Sequence, residues 1–193
     1  MKISELKTGY SVLIRYKFNI KDYTTWLSPF TRFFINLWNN IKGNKICPYN
    51  HSGSIILDKG EIWLFEAIDK GFKRTLLTDK IKKHGTNSFI LLVPKFQYNE
   101  KIFKVVAIDL EDKKIKYNFA GFLLFESIYQ LSNERLWLGK KSLNRTVFCS
   151  EVDSYLNFMS TDKQLFINYY NVDPEDRYKS ELFIKEKIDL DIK

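Results

Sequence analysis

A chain of 193 residues that is 45% hydrophobic and 16% aromatic has enough apolar material for one packed domain, expected to span residues 1–193, and is too hydrophobic for a disordered segment. Eight glycines and four prolines leave no long flexible linker, and no run of about 18 apolar residues offers a membrane-spanning helix. The net charge of +8 is uneven: residues 1–50 hold 8 Lys/Arg against 2 acids, and residues 151–193 hold 6 against 10. Charge of this kind suits anionic partners in general, but it comes without an Arg/Gly tract, an aromatic RNA-binding signature or zinc-finger spacing, so nucleic acid is not expected.

The opening "MKISELKTGY" lacks the apolar core of a secretory signal, which makes a reducing cytoplasm the expected location. The two cysteines, Cys47 and Cys149, are therefore expected as free thiols. "YSVLIRY" (10–16) alternates apolar and polar residues and predicts a strand. "SPFTRFFINLWNNIKG" (28–43) predicts a helix with Ser28 as cap, Pro29 in its first turn and Gly43 at its end. Its stripe of Phe30, Phe33, Phe34, Leu37, Trp38 and Ile41 fits core packing, with peripheral membrane contact as the alternative. "SGSIILDKGEIWLFEA" (52–67) carries the strongest hairpin signal, two β-rich runs around "DKG". "TLLTDKIKKHG" (75–85) predicts a short helix ending at Gly85, and "SFILLVP" (88–94) a buried strand. Residues 99–114 are ambiguous, because Asn99 could cap a helix while Val and Ile favour a strand. Helices are predicted over 119–131 and from about 148 to 159, where Cys149, Val152, Tyr155, Leu156 and Met159 share a face. Asp173-Pro174 opens another short helix, and 181–192 places Leu182, Ile184, Ile188, Leu190 and Ile192 on one side of a strand. The fold class expected is α+β, an antiparallel sheet packed against helices.

Groups that titrate near neutral pH are few: His51, His84, Cys47 and Cys149. A zinc site would draw on all four, but only Cys47 and His51 are closely spaced, with Pro48 between them, and structural zinc prefers close ligand pairs. A thiol nucleophile needs a lowered pKa, and Cys149 stands near a helix start, with Thr146 as a candidate cap. His51 begins the first arm of the hairpin and Glu66 ends the second, so pairing across "DKG" brings the carboxylate toward the imidazole. A carboxylate in the apolar run "IWLFEA" fits the group that orients a catalytic base. A buried thiol filling the core remains the plainer reading of Cys149.

"HSGSIILDKGEIWLFEA" followed by "FCSEVDSYL" resembles the circularly permuted branch of the NlpC-type papain-like cysteine hydrolases. The YiiX-like group is most similar, and lecithin retinol acyltransferases are more distant relatives. "LKTGYSVLIRY", "KYNFAGFLL" and "VDPEDRYKSELF" extend the likeness over most of the chain. The resemblance implies a permuted papain-like fold, Cys149 as nucleophile, His51 as base and Glu66 as its orienter. It implies acyl transfer without metal or organic cofactor, on a peptide, cell-wall or lipid acyl substrate. The oxyanion would face the Cys149 backbone N–H and a second donor, for which Tyr49 is the candidate. Glu151, His84 and Cys47 are expected to lie outside the chemistry. The family often has Asp where this chain has Tyr10 after Gly9.

Overall fold

In the computed structural model the described residues are 1–16, 48–49, 51–68, 71–112, 116–117, 146–147, 149–161, 172 and 174–189. The expected helices at 28–43 and 119–131, and Cys47, lie outside them. Six strands form one antiparallel sheet: β1 (Ser11–Ile14), β2 (His51–Asp58), β3 (Glu61–Ile68), β4 (Gly71–Leu76), β5 (Phe89–Pro94) and β8 (Phe183–Glu186), in spatial order β4-β3-β2-β1-β5-β8. Two-residue strands β6 (Lys116–Tyr117) and β7 (Thr146–Val147) make a separate parallel pair. Among the described residues, four α-helices accompany them: α1 (Leu77–His84), α2 (Glu100–Asp112), α3 (Cys149–Ser160) and α4 (Pro174–Lys179). Among the described residues, no helix is long and apolar enough to cross a membrane.

The β2–β3 hairpin closes on Lys59-Gly60, with φ of 51° and 80°, while Asp58 pairs with Glu61. Two positive φ values in a two-residue loop match the twist of the arms, and glycine takes one of them without steric cost. The arms alternate. Ile55 and Leu64 face a first apolar cluster with Val12, Ile14 and Leu91, capped by Leu77 and Ile81 of α1. Ile56, Phe65 and Ala67 face a second cluster with Phe103, Ala107 and Leu110 of α2 and Cys149, Val152 and Leu156 of α3. The sheet therefore has α1 on one face and α2 and α3 on the other. Each fully buried Leu, Ile or Phe contributes about 1.5–3 kcal/mol.

Local chemistry sets the helix limits. Gly85, at φ 78°, ends α1 and donates its N–H to the Ile81 carbonyl at 2.8 Å. Lys82, Lys83 and His84 fill the last turn, where the helix dipole favours cations. The ambiguous 99–114 segment is helical over Glu100–Asp112: Asn99 Oδ1 accepts from the Lys101 and Ile102 N–H groups at 3.0 and 3.1 Å. Pro174 opens α4, as a first-turn proline can.

Two expectations are corrected. Residues 71–74, unassigned from sequence, and the first two residues of the expected 75–85 helix form β4, so that helix begins at Leu77. At the C-terminal end the strand stops at Glu186, and its buried residue is Phe183, whereas Ile184 is exposed. Phe183 faces inward because it packs under the Arg177 guanidinium, 4.4 Å from its ring, in a third cluster with Leu13 and Leu92.

That guanidinium belongs to a buried polar knot. Arg177 of α4 pairs with Asp153 of α3 at 2.8 Å, and Ser11 of β1 and Ser54 of β2 both donate to Asp153 Oδ1. Arg177 also donates to the Ser11 and Ser154 hydroxyls. The knot ties four elements around the base of α3. Arg177→Met should lower stability by about 3–5 kcal/mol, because it leaves Asp153 charged in an apolar setting. Urea denaturation should show Asp153→Asn/Arg177→Met recovering much of that loss; equal stability of wild type and Arg177→Met would contradict the assignment.

Candidate active site

The site lies where the start of β2 meets the start of α3. His51 is the first residue of β2 and Cys149 the first residue of α3, and both are buried. Each acts on the other's protonation, Cys149 raising the His51 pKa and His51 lowering that of Cys149. As a first-turn residue, Cys149 presents an N–H that the helix itself leaves without a partner. Thr146, expected as a cap, pairs instead with Lys116 within β7, and the chain enters α3 two residues after that strand.

Glu66 meets His51 from the neighbouring strand, with Oε2 3.1 Å from Nε2. That contact leaves Nδ1 as the ring nitrogen available to the thiol. Alternation explains the pairing, since Glu66 shares the β3 face of Leu64 and His51 the β2 face of Ile55. Between them in sequence stands Gly53, where a Cβ would come within 2.8 Å of the Phe65 carbonyl oxygen and 3.4 Å of Glu66 Cβ. A bare backbone there lets the two strands close.

A carboxylate at 1% exposure needs several partners. Tyr16 donates its hydroxyl to Oε2 at 3.0 Å, and Thr75 donates to Oε1 at 3.1 Å. The Lys80 ammonium binds Oε1 directly and Tyr16 Oη at 3.1 Å. β4 and α1 supply Thr75 and Lys80, so a strand whose Thr75 was expected in the helix helps seat the orienting group. Neither Tyr16, Thr75 nor Lys80 stands out in the sequence; the buried carboxylate was the signal that partners had to exist. His84 packs edge-on against Tyr16, 4.9 Å between centroids, while Tyr16 lies 5.3 Å from the His51 ring. Tyr49 packs against Tyr178 in the third cluster, 5.6 Å between centroids. Glu151 is buried in the first turn of α3, where the helix dipole favours a carboxylate. Tyr10 packs in the first cluster.

The electrostatics of thiol and imidazole favour the charged form of each. Burial alone would lower the His51 pKa, but the Cys149 sulfur, followed by Glu66, raises it to about 9. Burial would raise the Cys149 pKa, yet His51, and after it Ser52, hold it below its ordinary value. Burial would also raise Glu66, and the His51 and Lys80 contacts override this to hold it at about 2. Cys149, His51 and Glu66 thus form a buried row in which each neighbour favours the other's charged form, with the half-buried Lys80 beyond Glu66.

No protein-family model and no curated protein match this chain. Among solved structures, the fold is similar to the crystal structure of metalloprotein YiiX from Escherichia coli O157:H7. The TM-score is 0.56 at 15% identity, over 95% of this chain and 98% of that one. At this identity the likeness concerns the fold: an α+β arrangement with a six-stranded antiparallel sheet.

Proposed function

We propose that this chain is a cysteine-dependent hydrolase or acyl transferase, acting on amide bonds by preference, and built as one permuted papain-like domain over residues 1–193. The observation that carries the reading is the buried row Cys149–His51–Glu66, with the sulfur at the start of α3 and the base held by a carboxylate. In sequence the base and its orienter precede the nucleophile, as the permuted order requires.

The Cys149 thiolate attacks the carbonyl carbon, a C–S bond forms, and the carbonyl electron pair moves onto oxygen. That oxyanion faces the Cys149 N–H, with Tyr49 the candidate for the second donor. Collapse of the adduct expels the amine, which takes the proton from the His51 imidazolium. An acyl-thioester and a neutral imidazole remain. Water then gives a proton to His51 and attacks the thioester; the thiolate leaves, and the ion pair is restored with release of the acid. Glu66 keeps the ring oriented throughout and stabilises its charged form.

The solved neighbour is named a metalloprotein, and the donors here do not suit a metal. Both oxygens of Glu66 are engaged by His51, Tyr16, Thr75 and Lys80, and an ammonium stands where a cation would have to sit. Among the described residues, no group of three His, Cys, Asp or Glu is arranged to hold a metal ion.

Acid-quenched mixtures with an activated peptide amide and with a long-chain acyl ester test the reading. Mass spectrometry of the Cys149 peptide should show the acyl group of the amide donor as a thioester. Labelling by the ester alone would move the substrate class to lipids. No adduct from either donor, with protein that remains folded, would refute acyl transfer.

A further inference from the structure

Each oxygen of Glu66 faces one cation. Oε2 meets the His51 ring at 3.1 Å and the Tyr16 hydroxyl at 3.0 Å, while Oε1 meets the Lys80 ammonium and the Thr75 hydroxyl, the latter at 3.1 Å. Lys80 also donates to Tyr16 Oη at 3.1 Å, so Lys80, Tyr16 and Glu66 close a ring of polar contacts. The ammonium therefore reaches the carboxylate twice. On Oε1 it draws on the negative charge directly. Through Tyr16 it polarises the O–H that shares Oε2 with the imidazole, and a stronger donor there weakens the hold of that oxygen on His51. Two further titratable groups border the ring. Lys73 stands opposite Glu66 on β4 and is exposed, and His84, one turn after Lys80 on α1, meets Tyr16 edge-on. Cys149 of α3 bears on the imidazole from its own side.

We propose that Lys80 is a positioning residue for proton transfer: by sharing the charge of Glu66 with His51, its ammonium leaves the imidazolium free enough to give its proton to the leaving group. The proposal rests on the cysteine-hydrolase reading and names what sets the strength of the acid in it. No bond to Lys80 forms or breaks, and its protons stay on nitrogen. A buried carboxylate with His51 as its one cation would hold the imidazolium in a tight pair, and an acid held too tightly is a poor donor at the operating pH. The sign of the effect separates this role from a structural one. Removal of the Lys80 charge should make His51 harder to deprotonate. If Lys80 only seats Glu66, its loss should displace the carboxylate and make His51 easier to deprotonate.

An imidazole NMR titration of the full chain tests this, in the Cys149→Ala background so that His51 ionises without a coupled thiol. The chain has two histidines, and the His51 signal is the one lost in His51→Ala. Lys80→Gln removes the charge and keeps a donor for Glu66 and Tyr16. Its His51 midpoint should rise by about one pH unit, the effect of one charge at a half-screened site. Lys80→Met, similar in volume, should shift the midpoint in the same direction and serves where the amide perturbs the fold. Lys80→Arg keeps the charge and should titrate within about 0.3 pH unit of Lys80 itself. A His51 midpoint that is unchanged or lowered in folded Lys80→Gln or Lys80→Met would overturn the role of Lys80 and leave the cysteine-hydrolase reading intact. A raised midpoint, with no thioester formed on the wild-type Cys149 by either acyl donor, would instead refute the underlying reading.

Discussion

If the proposed acyl transfer holds, Cys149→Ala should abolish turnover of amide or ester substrates, with kcat/KM falling by at least about 10⁴-fold, because a lost nucleophile leaves only binding and the oxyanion donor. The fold survives the change. Alanine keeps the helix start and removes one sulfur from a cluster in which Val152, Leu156, Phe103 and Ala107 are all buried. Charge balance also favours survival. The buried row holds two anions, Cys149 and Glu66, and two cations, His51 and Lys80. Loss of the thiolate removes one anion, and His51 responds by releasing its proton, which leaves the Lys80–Glu66 pair intact. Cys149→Ser should be as inactive near neutral pH, since a hydroxyl does not ionise there and His51 would have to remove its proton during attack. Steady-state kinetics with a melt on the same samples checks both. A Cys149→Ala variant that keeps more than about a tenth of wild-type kcat/KM would exclude covalent catalysis at this residue.

The parts of the site legible in the sequence were those with local signatures. "DKG" between two β-rich runs announced the hairpin, and the hairpin alone set Glu66 beside His51. Asn99 stood in the right place to cap α2, yet its Val and Ile content hid the helix, since burial on α3 and β4 overrides intrinsic preference. β4 was missed because "GFKRTL" has no clean alternation; its Lys73 and Arg74 lie opposite Glu66 and Phe65 on a strand whose residues are mostly half-buried. With β4 went Thr75, and the role of Lys80 in α1 was equally hidden, because contacts across 9 and 14 residues leave no periodic trace. The Asp153–Arg177 knot was hidden in the same way: Arg177 reads as one basic residue among the charges of a short polar helix, and only the tertiary fold buries it at 2% exposure.

His51→Ala should be nearly as damaging as loss of the sulfur, about 10³–10⁶-fold in kcat/KM, because the ring both holds the thiolate and supplies the leaving-group proton. The pH profile then separates the two duties. The active form has an ionised thiol and a charged imidazole. On the acid side, activity should appear well below the pH at which an ordinary cysteine ionises, since His51 holds the thiol pKa down. On the alkaline side, it should fall as pH rises through about 9, where His51 loses the proton that the leaving group needs. Stability obeys the same linkage. The raised His51 pKa contributes stability fully present below the ordinary value of 6.5 and lost as pH rises through about 9. The depressed Glu66 pKa contributes stability present above 4.5 and lost as pH falls through about 2. Glu66→Gln should lower the alkaline limb toward neutral pH, because an amide no longer stabilises the imidazolium, and should leave the half-buried Lys80 without its carboxylate. His51→Ala should slow Cys149 alkylation near pH 6.5 by about ten-fold or more, the counter-charge being gone. Alkylation rates for wild type, His51→Ala and Glu66→Gln across the pH range decide the matter. If all three profiles coincide, sulfur and imidazole do not share a proton, and Cys149 is a core thiol.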